Sequence, residues 1–193
     1  MGGTPVLRMS RDSLAGCTIS AARGIVNSTT NYILTQMESG LSYADALAEA
    51  QRAGYAETDP RGDVEGFDAA GKIAILANVV FGANVKPSDV QRIGITELTA
   101  TDVNDARAAG KRWKLIGSIL RTSDGSLSVK VAPEQLPLSD ALAQVNGTTN
   151  ALTFETDILG PVTLIGAGAG GRGTGFAILA DLIELHRRFG SHP

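Results

Sequence analysis

"KLIGSILRTSDGSLSVKVAP", residues 114–133, holds two runs in which apolar and polar residues alternate, separated by Ser123-Asp124-Gly125. Alternation with a period of two, broken by an Asp-Gly pair, reads as a β-hairpin. "ALTFETDI" at 151–158 and "VTLIG" at 162–166 form a second strand pair across Gly160-Pro161. Upstream, the period lengthens. Residues 24–39 read as a helix with Ile25, Ile33, Leu34 and Met37 near one face, Asn27, Ser28 and Thr29 available as caps, and Gly40 as the stop. A second helix is expected from about Ser42 to Ala53, where Ser42 and Asp45 resemble a capping box with the shorter acid. Residues 54–63 read as loop, and a third helix covers about Val64 to Val80. Short helical pieces fill 86–112, and a last helix runs from about Thr174 to Arg188. Helices followed by strands predict an α+β fold, with helices packed on a mixed or antiparallel sheet.

The totals narrow the function classes. At 193 residues and 43% hydrophobic, the chain can bury a proper core. A net charge of −3 offers no field for nucleic acid or an anionic membrane, and the basic run Lys111, Arg112, Trp113, Lys114 reads as the end of a helix. Cys17 is the only cysteine, so no disulfide framework is expected. Two histidines, both near the C-terminus, are too few for a zinc site. No apolar run is long enough to span a bilayer, and the N-terminus lacks a signal-peptide core, so a cytoplasmic protein is expected. No internal repeat stands out.

"VTLIGAGAGGRGTGFAILADLIEL", 162–185, matches strand, G-x-G-x-x-G at Gly166, Gly168 and Gly171, then helix. A dinucleotide site of this kind needs a further strand ending in an acid. Only five residues follow Arg188, and Asp181 and Glu184 lie within the helix. Three readings stay open: a complete nucleotide site, a tight strand-to-helix turn, or a loop touching a cofactor held mostly elsewhere.

The chemistry-bearing stretch is "GYAETDPRGDVEGFDAAGK", 54–72. Asp68 and Lys72 are four apart on the third helix, the acid N-terminal, which is the favourable order for an ion pair. Glu57 and Asp63 sit in the loop feeding that helix. Such a cluster is usually a solvated face. Lys72, however, stands directly before the apolar "IAILANVV", and glycines flank the loop. A half-buried lysine beside carboxylates suits proton transfer to a carbonyl oxygen.

"GIVNSTTNYIL" at 24–34 and "AQRAGYAETDPRGDVEGFDAAGKIAIL" at 50–76 closely resemble homoserine dehydrogenase. "GGTPV" at 2–6 resembles the family's Gly-Gly-x-Pro turn, and "LIGAGAGG" at 164–171 its C-terminal glycine loop. The resemblance covers essentially the whole chain. It implies interconversion of L-homoserine and L-aspartate 4-semialdehyde with NADP or NAD, in the route to threonine, methionine and isoleucine. It makes Lys72 the proton donor. Glu57 and Asp68 would hold the substrate, with Asp63, Thr29 and Tyr55 in the same pocket, and Gly54 and Gly170 would lie against the cofactor. Backbone carbonyls around Gly2 and Thr4 would be what this chain contributes to a monovalent-cation site for an ion such as Na+.

The resemblance also implies that residues 1–170 form a substrate-binding and dimerisation domain, with the subunit contact through the sheet at about 114–165. The helix of 171–193 would pack on a nucleotide-binding Rossmann domain absent from this sequence, so the chain alone is expected to be inactive. Two departures stand out: Ser28 replaces a glycine of the family's Asn-Gly-Thr-Thr-Asn pattern, and Gly71 stands where arginine is usual. A non-catalytic dimerisation module derived from the family is the alternative reading.

Overall fold

A computed structural model of the chain describes residues 1–168 and 170–190. The hairpin that opened the reading is present: β3 (Lys111–Arg121) and β4 (Leu127–Pro137) pair antiparallel, with Ile119 opposite Val129. Gly125 takes the positive φ its turn needs (84°). Asp124 accepts hydrogen bonds from the Thr122 hydroxyl and from the amide and hydroxyl of Ser126, which pull its carboxyl down to about 2. The second pair also forms, as β5 (Thr149–Thr156) and β6 (Gly160–Ala167).

A strand outside the expected pattern joins the two hairpins. β1 (Ile19–Ile25) lies between β3 and β5 and pairs antiparallel with both. With β2 (Gln91–Arg92) parallel to β4, the order is β2-β4-β3-β1-β5-β6, a six-stranded mixed sheet. The stretch "ISAARGI" has few β-branched or aromatic residues, so local preference does not mark it. Its neighbours on both sides impose the conformation. Ile25 therefore ends a strand instead of opening a helix, and α2 spans Ser28–Glu38. Asn27 caps it, its side chain accepting from the Thr30 amide.

α1 (Val6–Arg8) precedes the sheet, running into a short wide turn at Met9–Ser13. α3 (Tyr43–Arg52) starts at Ser42 as expected, although Asp45 meets the serine hydroxyl rather than closing a full box. The third expected helix forms as α5 (Phe67–Phe81), starting three residues late, while the end of the expected loop 54–63 is instead a short helix, α4 (Arg61–Val64); Gly66, with φ 82°, separates the two. The segment 86–112 holds one 3-10 turn (Pro87–Asp89) and α6 (Ala100–Ala108), and its basic end belongs to β3, not to a helix. α7 (Gly171–Phe189) is the last element.

α2, α5 and α6 cover one face of the sheet. Ile33, Leu34 and Met37 of α2 and Ile73, Leu76 and Ala77 of α5 meet Leu115, Ile119, Val131, Leu152 and Phe154 in one buried cluster. Ile116, one residue along β3, points the other way into a smaller cluster with Leu136, Leu142 and Val145. α5 lies close to the sheet because Gly117 has no side chain where Ile73 presses in. Its partner across the ladder, Gly24, is similarly constrained: the Ala151 carbonyl and the Leu152 backbone occupy the place of a Cβ.

Lys114, on the same side of β3 as Ile116, is fully buried. Its Nζ donates to the Val145 carbonyl at 2.8 Å, to Asn31 Oδ1 at 3.2 Å and to Asn146 Oδ1 at 3.3 Å. Burial lowers this amine from the ordinary 10.5 to about 8, with Glu38 opposing the shift.

Two outcomes are expected. Gly24→Ala forces the β5 backbone away and destabilises by about 1–3 kcal/mol, lowering Tm in a thermal melt, whereas an unchanged Tm would contradict the β1–β5 packing. Between about pH 8 and 10.5 the unfolded chain carries the extra proton on Lys114, so stability from this residue rises with pH. In urea titrations the stability of wild type relative to Lys114→Met should increase by about 1–3 kcal/mol from pH 8 to 10. A flat difference would show that Lys114 keeps its proton in the fold.

Candidate functional site

Lys72 lies in the second turn of α5, where the helix changes from polar to apolar. Its Nζ donates to Asp68 Oδ2 at 2.6 Å, one helical turn back, and to the Val26 carbonyl at 3.0 Å, just past the end of β1. The lysine side chain is 31% exposed and the aspartate 38%, so the pair is half-screened by protein. Asp63 comes to the same place from α4. Gly66 makes this possible, because the break it introduces turns α4 back so that both acids face the start of α2.

Asn27 occupies the gap between them. Its Nδ2 donates to Asp63 Oδ1 at 2.6 Å and to Asp68 Oδ2 at 2.9 Å, while its Oδ1 caps α2. Thr29, buried in the first turn of α2, donates from its hydroxyl to the Tyr55 carbonyl at 2.7 Å, tying the glycine-rich loop to the same helix end. The Tyr55 ring stacks at a tilt on Tyr32, with centroids 4.8 Å apart. Glu57 stands exposed on this loop, held through its backbone carbonyl by Gln51 Nε2 at 3.0 Å. Of the expected residues, Asp68 and Lys72 thus meet directly, Asp63 joins Asp68 through Asn27, Thr29 holds the Tyr55 carbonyl beside them, and the Glu57 side chain stands exposed on the loop.

The glycine loop reaches the site from the far edge of the sheet. β6 is an antiparallel edge strand, so the G-x-G-x-x-G stretch here is not the turn of a parallel βαβ unit. Gly168 packs where Ser28 Oγ and Asn150 Oδ1 leave no room for a Cβ, and Ser28 donates to Asn150 Oδ1 at 2.9 Å. Asn150 is fully buried and its Nδ2 has no partner among the described residues. The N-terminal amine donates to the Gly168 carbonyl; burial, and then the charge of Lys72, lower its basicity, against a raising influence of Asp68.

A cavity of about 620 Å³ opens beside Lys72, between the N-terminal turn, α1, α5 and α7, with Ile75, Leu76 and Phe176 in its wall. Gly54 (φ 74°) and Gly170 (φ 115°) both have open space before them, and Gly170 precedes the uncapped N-terminus of α7. Open backbone at Gly54 and Gly170 and the bare amides at the start of α7 fit a polar, partly aromatic cofactor edge. The cation expectation fits less well. Thr4 is buried and its carbonyl already accepts from the Val6 amide at 2.8 Å, so Gly2 and Thr4 alone fall short of the six or so oxygens a hard cation takes. No cluster of His, Cys, Asp or Glu suited to a metal exists among the described residues.

The part played by Asn150 was missed from the sequence, although a signal existed. "VNSTTN" at 26–31 recurs as "VNGTTN" at 145–150, and the two copies touch. Asn31 Nδ2 donates to the carbonyls of Val145 and Thr149, and Ser28 to Asn150. Asn27 was legible only as a cap.

Comparison with known proteins gives one answer. The homoserine dehydrogenase family model matches residues 5–183. An NAD(+)-dependent homoserine dehydrogenase of Pseudomonas canavaninivorans is 46% identical over 187 residues, 97% of this chain and 53% of its own length. The crystal structure of a homoserine dehydrogenase from Thiobacillus denitrificans superposes with a TM-score of 0.93 at 38% identity, over 99% of this chain and 45% of that one. A hyperthermophilic archaeal homoserine dehydrogenase mutant in complex with NADPH gives 0.79 at 35% identity, over 97% and 53%. The chain spans about half the length of the relatives it matches.

Proposed function

Because this chain belongs to the homoserine dehydrogenase family, we propose that it is the substrate-binding and dimerisation part of an enzyme interconverting L-homoserine and L-aspartate 4-semialdehyde with NADP or NAD. The observation that carries this reading is the ammonium of Lys72, pinned between Asp68 Oδ2 and the Val26 carbonyl at the mouth of the cavity. The nicotinamide, when bound, supplies the hydride for reduction and takes it up in oxidation.

The protein's own groups do the rest. Lys72 faces the substrate's carbonyl oxygen and gives it a proton as negative charge develops there; in oxidation it takes the proton back. A fixed positive charge at a nascent alkoxide needs no rearrangement during the reaction, which makes its contribution large. Asp68 holds the lysine in place. Glu57 and Asp68 receive the substrate's ammonium, and Asp63, Thr29 and Tyr55 complete the pocket wall. Gly54 and Gly170 give the nicotinamide edge a surface without side chains. The carbonyls of Gly2 and Thr4 join a monovalent-cation site only if other oxygens complete it, and no step depends on it.

The relatives are about twice as long, so a nucleotide-binding segment, in cis or in trans, completes the proposed enzyme, and these 193 residues alone are inactive. We place residues 1–170 in the substrate domain and assign α7 to the contact with that segment. α7 supports this reading by exposing Phe176, Leu179, Leu182 and Ile183 while tied to α1 by the Arg8–Asp181 ion pair at 3.0 Å. Two copies associate through the sheet at 114–165, a reading supported by exposed Leu120 and Ile165. Amino-acid biosynthesis of this kind places the protein in the cytoplasm, on the route to threonine, methionine and isoleucine. Among the described residues no helix is long and apolar enough to cross a membrane.

Two measurements test the proposal. In the protein assembled with its nucleotide-binding segment, NADPH oxidation with L-aspartate 4-semialdehyde should fall at least about 100-fold in kcat for Lys72→Ala, with Tm nearly unchanged; full activity in that variant would remove Lys72 from the chemistry. Light scattering of the chain at micromolar concentration should give twice the monomer mass, and a clean monomer would refute the sheet-mediated dimer.

A further inference from the structure

Asn27 is doing two jobs with one side chain. It is 4% exposed. Its Oδ1 accepts from the amide and the hydroxyl of Thr30, both at 2.9 Å, and this fixes which way the amide group faces. Nδ2 is then the only end available to the acids. Each of its two N–H bonds meets a carboxylate, Asp63 Oδ1 at 2.6 Å and Asp68 Oδ2 at 2.9 Å. Asp68 Oδ2 also receives Lys72 Nζ, and Lys72 is tied to the carbonyl of Val26, the residue before Asn27. A closed ring results: Asn27 to Asp68, Asp68 to Lys72, Lys72 back to the backbone beside Asn27.

We infer that Asn27 is a positioning residue of the site: it separates two like charges and, through Asp68, sets where the Lys72 ammonium stands. The role of the ring in catalysis rests on the proposed function; the bridge itself does not. The residue type matters. A carboxamide is the one uncharged side chain of this reach that offers an acceptor to the helix start and two donors to the acids. Lysine would have no acceptor for the cap. Aspartate would cap equally well but has nothing to donate, and would bring a third negative charge against two others. Serine would cap as well, but its single short hydroxyl cannot reach both acids.

These differences make a test in which capping and bridging predict opposite signs. If Asn27 only caps α2, Asn27→Asp is as stable as wild type or more so. If it bridges, Asn27→Asp lowers Tm at pH 7 by about 3–6 °C, and the double variant Asn27→Asp with Asp63→Asn, which restores one amide between carboxylates, recovers at least about half of that loss. A Tm for Asn27→Asp at or above wild type, or a double variant no better than the sum of its parts, overturns the bridge. Calorimetric titration with L-homoserine then reads the positioning. Measured well below the Tm of both proteins, Asn27→Ser should bind at least about 10-fold more weakly than wild type, and equal binding by the two overturns the positioning role. If wild type binds no L-homoserine but the Tm series comes out as expected, the proposed substrate fails and the bridge stands.

Discussion

The two-sided pairing of β1 is the constraint on which the site depends. Gly24 is hydrogen-bonded into a ladder on each side, opposite Gly117 and opposite Leu152. With both edges satisfied, the strand has no freedom to shift, and its end fixes the carbonyl of Val26 and the start of α2. Lys72 needs that carbonyl as its second acceptor, and the two acids need Asn27 directly after it. Gly117 on β3 lets Ile73 sink into the sheet, which sets the height of α5 and so of Lys72, its preceding residue. Strand register and the position of the Lys72 ammonium are thus linked by a single residue-to-residue step on each of two elements.

Around that frame the acids are arranged by backbone conformation more than by side-chain reach. A helix continuous from Arg61 to Phe81 would point Asp63 and Asp68 to divergent faces. The positive φ at Gly66 breaks the helix and brings both to the same amide. The cation that balances them is drawn from the next turn, where the apolar half of α5 holds the aliphatic stem of Lys72 and leaves its ammonium at the surface of the cavity.

Much of this was legible in the sequence, for reasons that can be named. The hairpins announce themselves because alternation and an Asp-Gly turn are local signals, and Asp68–Lys72 because helical spacing alone brings i and i+4 together. The resemblance to the family put Asp63 and Thr29 in the same neighbourhood. What escaped is tertiary in origin. Between its two terminal isoleucines β1 holds only Ser, Ala, Arg and Gly, so its neighbours make it a strand, and part of its end was absorbed into the following helix. The break at Gly66 is invisible to periodicity, since the apolar pattern resumes almost in phase after it. Lys114 looked like a helix-ending base and is instead a buried amine, a placement that depends on a carbonyl 31 residues away in the chain. Asn150 carries no propensity signal of its own. It becomes visible only when the repeated "VN-x-TTN" stretch is noticed and the two copies are found in contact.

The position of β1 in the sheet has a consequence for how the molecule comes together. Its partners lie about 90 and about 130 residues further along the chain. Closing loops of that size costs entropy before any contact offsets it, and sheets wired this way have high contact order and fold slowly. During synthesis the first strand emerges long before either hairpin exists. Each hairpin, by contrast, can form from local contacts as soon as it is made. Assembly therefore waits for the last third of the chain, when β5 arrives and both hairpins can close on β1 together. Until then the segment that will anchor the lysine is an unpaired strand with two open edges, the state most open to aggregation and to capture by chaperones.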